Sequence, residues 1–230
     1  MTSDEALSRP AASAAVESIG WRYLLGSLAA SVAVSSVRQA VDVAAAATTA
    51  CGDDADDHLR VDVRAGRADF VLQSVATGRV TMRDTLLAEQ VTDAVHELGL
   101  SISPPSAGPR PVQALELAID ALDIAAIRPF WKAVLAYTDE PGRDGPEAAI
   151  VDPAWQGPAI WFQQMDQPRP QRNRIHLDIT VAHDEAEARV QAALDAGGVL
   201  VSDAAARSFW ILADAEGNEA CVCTWQDRDG

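Results

Sequence analysis

The stretch RNRIHLDITV, residues 172–181, alternates between polar and apolar side chains. Successive side chains of a β-strand point to opposite faces, so the pattern predicts a strand with one polar and one apolar face. The apolar face carries Ile175, Leu177, Ile179 and Val181. The polar face carries Arg174, His176, Asp178 and Thr180. A histidine and an aspartate two residues apart on one face indicate either a solvated surface or the floor of a pocket.

The same pattern occurs earlier in the chain, in ALELAID, residues 114–120, where Glu116 takes the place of His176. Each stretch is followed by a helical pattern and then by strand-like runs, which predicts two β-α-β-β-β repeats roughly 60 residues apart. The apolar face of each first strand is needed to cover the helix of its own repeat. We therefore expect Glu116 and His176 to line a shared concave face, where ligand sites commonly form.

A proline-rich stretch, SISPPSAGPRP, separates the repeats from the first part of the chain. Proline at this density interrupts both helices and strands, so residues 101–111 are predicted to be a linker between domains at residues 1–100 and 112–230. The first domain has helix and strand patterns in the order α-β-β-α-β-β-α. The predicted fold class is therefore α+β, with this domain followed by the two repeats.

Helices are predicted in the first domain over residues 2–19, over residues 36–51, and from Thr81 to Gly99. The buried face of the second helix is predicted to carry Val37, Val41 and Ala44, and that of the third Leu87, Val91, Val95 and Leu98. Strands are predicted on both sides of Gly26 and of Gly66.

The net charge of −16 disfavours binding to nucleic acid or to an anionic membrane, since both require a cationic surface. The first residues, MTSDEALSRP, are acidic and lack the apolar core of a secretory signal. Three cysteines cannot all pair with one another, which favours a reducing compartment. We therefore expect a cytoplasmic protein whose partner is a small molecule.

Three segments of the second domain resemble the glyoxalase-like branch of the vicinal oxygen chelate superfamily. They are FQQMDQPRPQRNRIHLDITV at residues 162–181, DAEGNEACVC at 214–223 and RPFWKAVLAY at 128–137. In metal-dependent members of that superfamily, the first and last strands of the two repeats supply four ligands to one divalent ion. The matching positions are Glu116, Gln163, His176 and Cys221. The alternative is that no metal binds, that His176 forms hydrogen bonds within the cavity and that Cys221 is a small core residue.

The resemblance implies catalytic roles for His176 and Glu116, and we add Asp178 as a candidate base. Asp178 is alternatively the ion-pair partner of Arg172 or Arg174. Trp161, Gln163 and Cys221 are candidate contacts for the substrate. Trp161 provides either an aromatic wall for a ligand or ordinary packing.

The segment VDVRAGRADFVLQSVATGRVTMRDTLLA, residues 61–88, resembles pterin-4a-carbinolamine dehydratases, as does the element order of residues 5–100. Three histidines of that family correspond here to Asp57, His58 and Val75. Valine cannot transfer a proton, so dehydratase activity is expected to be lost, although Asp57 and His58 remain candidate substrate contacts. Asp84 is expected to stabilise the start of its helix.

Three functions follow from these resemblances. The first is an enzyme, such as a lyase, isomerase or dioxygenase, acting on a small oxygenated molecule in the second domain. The second is a non-catalytic protein that sequesters such a molecule. The third is pterin carbinolamine dehydration in the first domain. Both families form oligomers, which predicts a homo-oligomer.

Overall fold

The structure, a computed structural model, describes residues 5–103, 114–168, 171 and 175–227. The chain divides into two compact units, Met1–Ala114 and Leu115–Gly230. Within the described ranges, no helix has the length and apolar character needed to cross a membrane.

The first unit is an antiparallel sheet with helices packed against it. Its elements are α1 (Arg9–Val16), β1 (Arg22–Leu24), β2 (Ser27–Ala33), α2 (Val37–Cys51), α3 (Ala55–His58), β3 (Leu59–Arg64), β4 (Arg67–Leu72), α4 (Met82–Glu97) and β5 (Ile102–Ser103). The strand order is β1-β2-β4-β3, and β5 also pairs with β2. Ile102 and Ser103, in the predicted linker, thus belong to the sheet, whereas residues 104–111 lie outside the described residues.

The first helix is shorter than the 2–19 range predicted for it. It begins at Arg9 because the Ser8 side chain accepts a hydrogen bond from the Ala11 N–H, and Pro10 then fits the first turn. Residues 2–4 of the predicted range lie outside the described residues, and Glu17–Ile19 continue as a short 3-10 turn.

The face of α2 that is buried differs from the predicted one. Val37 and Val41 are about half exposed, whereas the buried residues are Ala40, Val43, Ala47 and Cys51. α2 packs against α4, and small alanine side chains allow two helices to approach closely. The prediction was wrong because helical spacing fits more than one face of this helix and does not specify which face packs against α4.

The strands around Gly26 and Gly66 and the third helix of the first unit are present where the sequence predicts them. Strands flank Gly26 and Gly66, both of which have positive φ, as tight turns between strands require. Thr81 and Asp84 form a capping box at the start of α4, and Leu87, Val91 and Val95 are buried. Leu98 is the exception, since it caps the end of the helix and is 46% exposed.

The second unit contains two β-α-β-β-β repeats. Its elements are β6 (Glu116–Ala121), α5 (Ile124–Leu135), β7 (Thr138–Asp139), β8 (Ile150–Val151), β9 (Ala159–Gln164), β10 (Leu177–Thr180), α6 (Ala186–Asp195), β11 (Val199–Ser202), β12 (Phe209–Ala213) and β13 (Glu219–Cys223). Each repeat forms its own four-stranded sheet, in the orders β6-β9-β8-β7 and β10-β13-β12-β11. The first and last strands of each repeat are therefore parallel neighbours.

The alternation predicted for the first strand of each repeat is confirmed within β6 and β10, whereas Ile175, predicted on the apolar face, precedes β10 and is 80% exposed. Leu177 and Ile179 pack against the hydrophobic core of the unit, whereas Asp178 and Thr180 are exposed. Leu117 and Ile119 pack against the same core in the first repeat. The polar faces of β6 and β10 thus point away from the helices α5 and α6.

Candidate functional site

The polar face of the second repeat brings three different donor groups together. In the parallel pairing of β10 with β13, Asp178 lies directly opposite Cys221. His176 precedes β10 by one residue, and its Nδ1 lies 2.9 Å from Asp178 Oδ1 and 3.8 Å from Cys221 Sγ. One donor atom from each of the three residues lies within 4.8 Å of the others. We call these three residues the donor cluster.

The donor cluster has a buried side and an open side. Cys221 is only 6% exposed, whereas the side chains of His176 and Asp178 are 49% and 59% exposed. A concavity of about 350 Å³ opens over the cluster and is also lined by Ser208 and Phe209. We call it the small cavity. A ligand entering it would meet the imidazole and carboxylate first and the sulfur at the base.

Cys221 is protonated at neutral pH when no ion is bound. Burial, with a further contribution from the Asp178 carboxylate, raises the pKa of the Cys221 thiol to about 11, from a usual value of 9.0. Because the thiolate is the reactive form of cysteine, Cys221 is a poor nucleophile in this state.

The chemistry of the donor cluster fits a divalent metal ion. Imidazole nitrogen, carboxylate oxygen and cysteine sulfur are the three donor types found in protein zinc sites. Sites with three protein ligands leave a further position for water or substrate, and here that position would face the small cavity. Of the residues that the structure describes, only these three form such a group of histidine, cysteine, aspartate or glutamate.

The first repeat does not bring its two matched positions together. Glu116 lies opposite Ala159, whereas Gln163 lies opposite Asp120. Gln163 is therefore four residues beyond the partner of Glu116, about 13 Å along the strand at roughly 3.3 Å per residue. Of the four positions that the resemblance implies, His176 and Cys221 therefore lie close together. Glu116 and Gln163 are far from each other.

A second and larger cavity lies beside the donor cluster. Its volume is about 560 Å³, and it is bounded by β6, by the start of β10 and by the turn between β12 and β13. We call it the large cavity. His176 lines both cavities, whereas Glu116, Trp161 and Gln163 line neither. Trp161 lies opposite Ala118 and is 38% exposed.

The turn that bounds the large cavity is held in place by two acidic residues. Asp214 is buried, and its carboxylate accepts hydrogen bonds from Trp131 Nε1 at 2.9 Å and Asn218 Nδ2 at 2.8 Å. The Glu216 carboxylate accepts hydrogen bonds from the backbone N–H groups of Leu122 and Asp123, at the start of α5. The turn is therefore fixed to the helix of the other repeat.

Several residues of the large cavity were not predicted, among them Asp120, Met165 and Glu216. The DAEGN sequence of the turn carried a signal, because aspartate, glycine and asparagine favour turns. The contact of that turn with α5 joins residues about 90 positions apart, which no local pattern specifies. Arg172 and Arg174, the predicted partners of Asp178, lie outside the described residues.

In the first unit, His58 is part of a buried hydrogen-bond network. Its Nδ1 lies 2.8 Å from Asp84 Oδ1, and the Asp84 Oδ2 accepts hydrogen bonds from the Thr81 N–H and hydroxyl. The Val75 N–H donates to the Asp57 carbonyl, so these two matched positions are neighbours as well. Both of their side chains are exposed, and Val75 has no group that transfers protons.

Comparison with known proteins identifies the second unit. Residues 116–223 match the family described as a glyoxalase-like domain. A search of curated proteins found no match.

Several solved structures resemble roughly half of the chain. A glyoxalase/bleomycin resistance protein/dioxygenase family enzyme from Burkholderia phytofirmans is 16% identical, covering 47% of this chain and 95% of its own, with a TM-score of 0.35. A glyoxalase/dioxygenase from Nostoc punctiforme is 13% identical, covering 49% and 90%, with a TM-score of 0.38.

The fosfomycin resistance protein FosX from Listeria monocytogenes, complexed with manganese(II) and a dihydroxypropylphosphonic acid, is 9% identical, covering 49% and 90%, with a TM-score of 0.37. Likeness at this level does not establish function. The family match does not depend on these structures. It shows that the second unit of this chain carries a glyoxalase-like domain at residues 116–223.

Proposed function

We propose that the second unit binds a small oxygenated molecule in the large cavity and acts on it through His176. The observation that supports this proposal is the position of His176, which lines both the large cavity and the small cavity over the donor cluster. The volume of about 560 Å³ is within the range of small-molecule sites, roughly 300–1,000 Å³. The boundary contains apolar residues, such as Leu117 and Met165, and polar ones, such as Asp120 and Asn218.

One divalent ion at the donor cluster is part of this proposal. When bound, such an ion would supply Lewis-acid polarisation of a substrate oxygen. The residues of the chain would orient and shield the ligand. Without an ion, the Asp178 carboxylate and the imidazole of His176 are held together by the 2.9 Å hydrogen bond, and Leu177 and Met165 line the large cavity. Glu116 is left without a role at either cavity.

The three methionines provide a direct test of where a ligand binds. Met165 lines the large cavity, whereas Met82 lies in α4 of the first unit. With ¹³C-methyl-labelled methionine, NMR spectra are recorded while a panel of 1,2-diols, 2-hydroxy acids, catechols and phosphonates is added. A ligand of the large cavity should shift the Met165 methyl signal, leave Met82 unchanged and bind more weakly to His176→Ala. Shifts confined to Met82, or binding unaffected by His176→Ala, would contradict the proposal.

Sequestration without reaction is the second candidate. The observation that favours it is that Glu116, which the resemblance implies as a catalytic group, lines neither cavity. Mass spectrometry of the compound recovered after incubation separates the two candidates. A changed compound supports an enzyme, and an unchanged compound that still shifts Met165 supports sequestration.

In the first unit, we propose that His58 serves stability rather than catalysis, and the resemblance to pterin-4a-carbinolamine dehydratases stays a prediction. The support is that the Nδ1 of His58 is engaged by the buried Asp84, and that the third matched position is Val75. A direct assay with a pterin 4a-carbinolamine tests this view. A rate above the uncatalysed one that is lost in His58→Ala would overturn it.

A further inference from the structure

We propose that His176, Asp178 and Cys221 form a thiolate-containing metal site, confined to the second repeat, that selects a zinc-class ion over manganese or magnesium. This inference rests on the proposed function, because it specifies which ion serves that site. It differs from the site that the resemblance implies in two respects. Both repeats contribute ligands to the implied site, and Asp178 is not among them.

The register of β10 and β13 places Asp178 and Cys221 side by side. Asp178 and Cys221 are direct partners across the parallel pair β10 and β13, so their side chains leave the sheet on the same face. His176 is two residues before Asp178 and shares that face. The contacts of 2.9 Å and 3.8 Å from His176 Nδ1 to the other two residues follow from this arrangement. All three ligand positions are thus fixed by one sheet.

The types of donor atom in the cluster determine which metal ion it prefers. Manganese and magnesium prefer sites made of carboxylate, carbonyl and water oxygens, whereas a cysteine thiolate favours zinc and softer ions. The donor cluster contains one oxygen donor, one nitrogen and one sulfur. Glu116, which would add a second carboxylate, is not part of the group of donor atoms within 4.8 Å. Removal of the sulfur should therefore weaken zinc binding more than manganese binding.

The buried position of the Cys221 sulfur determines where an ion would lie. Cys221 is 6% exposed at the base of the small cavity, so an ion must sit against the sheet to reach it. His176 and Asp178 are exposed above it and able to close around an ion from the solvent side. Cys223 also lines the small cavity, but it lies opposite Thr180 rather than Asp178, which makes it the matched control.

Cobalt(II) is the probe, because it replaces zinc and gives a thiolate-to-metal absorption band in the near ultraviolet only when sulfur is a ligand. The metal-free full chain is titrated with cobalt and then with zinc or manganese as competitors. We expect the band to appear and zinc to remove it, with manganese at least about 100-fold less effective. Cys221→Ser should abolish the band and lower the ratio of zinc affinity to manganese affinity by about 10-fold or more. Cys223→Ser and Cys51→Ser should leave both unchanged.

His176→Ala keeps the test independent of folding, because this exposed side chain is removed without opening the core, and cobalt affinity should fall by more than about 10-fold. Circular dichroism checks the fold of each variant. If manganese binds in a His176-dependent manner and cobalt gives no thiolate band, the inference is wrong and the proposed function survives. Loss of the band in Cys223→Ser instead of Cys221→Ser also overturns it. If none of the ions binds, the metal part of the proposed function fails as well.

Discussion

Asp84 is a fully buried carboxylate that uses both of its oxygens, one for His58 and one for the N–H and hydroxyl of Thr81. Burying a carboxylate without partners is costly, so each of these hydrogen bonds contributes to the stability of the first unit. The network connects the end of α3 with the start of α4.

The variant His58→Ala should lower the free energy of unfolding by about 1–3 kcal/mol, because Asp84 Oδ1 loses its partner inside the protein. Asp84→Ala should cost more, since it also removes the helix cap. His96→Ala, at an exposed position in the last turn of α4, is the control and should change stability by less than about 0.5 kcal/mol. Urea unfolding measures all three. Equal effects of His58→Ala and His96→Ala would show that the buried pair contributes nothing.

Cys51 should make the first unit less stable at high pH. Burial raises the pKa of its thiol to about 11, an effect that Arg83 reduces, whereas the thiol of the unfolded chain ionises near its usual value of 9.0. The folded state therefore keeps the thiol protonated, and this contribution to stability is complete below pH 9 and is lost between pH 9 and pH 11. The loss is at most about 3 kcal/mol.

The comparison is with Cys51→Ala, which is less stable at pH 7 because it removes buried volume but should lose less stability between pH 9 and pH 11. Denaturant unfolding across that pH range gives the two slopes. Identical slopes for the wild type and for Cys51→Ala would contradict a raised thiol pKa.

The sequence predicted single residues well where strand alternation alone places them. His176, just before β10, and Asp178, within it, lie side by side, as the alternation of residues 172–181 predicted. The pairing of Asp178 with Cys221 could not be predicted, because it depends on the register between two strands that are far apart in the sequence. For the same reason the separation of Glu116 from Gln163 could not be read from spacing.

In the second unit, Gly198 lies close to the helix α5. Gly198 follows α6, and a Cβ atom at this position would lie 2.4 Å from Phe130 Cδ2 and 2.7 Å from the carbonyl oxygen of Ala193. Gly197 has a φ of +94° but no atom within 4 Å of such a Cβ. Substitutions at these two neighbouring glycines therefore distinguish the effect of a steric clash, at Gly198, from that of backbone strain, at Gly197.

We expect Gly198→Ala to destabilise the second unit by about 1–3 kcal/mol through overpacking against Phe130. Gly197→Ala should cost about 1 kcal/mol, since only its left-handed backbone is penalised. Five of the six tryptophans lie after residue 115, so tryptophan fluorescence during denaturation reports chiefly on this unit. A Gly197→Ala variant less stable than Gly198→Ala would show that Phe130 moves aside freely.

At the scale of elements, the sequence predicted which segments are helices and strands better than which face is buried. In α2 helical spacing fitted both the predicted face, with Val37 and Val41, and the face with Ala40, Val43 and Ala47, and only the second face is buried. Helix bounds depended on local chemistry, as Ser8 and Thr81 show by capping α1 and α4. The repeat in the second unit was visible because both copies keep the same order of patterns.

For the molecule as a whole, the division into two units leads to a prediction about the segment between them. Proline-rich sequence over residues 101–111 predicts a linker, and the compact units are Met1–Ala114 and Leu115–Gly230. Limited digestion with subtilisin should cut first within this predicted linker and leave two fragments that resist further cleavage. Trypsin is unsuitable because Arg110 is followed by proline. First cuts inside α4 or β9, identified by mass spectrometry, would contradict this arrangement.

We propose that function in this chain resides at His176, which lines both cavities of the glyoxalase-like unit. The most direct measurement is anomalous diffraction at the zinc edge from crystals grown with zinc. We predict one strong peak about 2.0–2.3 Å from a nitrogen of His176, an oxygen of Asp178 and the sulfur of Cys221. A peak at Glu116 or Gln163 instead, or zinc scattered only over surface carboxylates, would contradict the account.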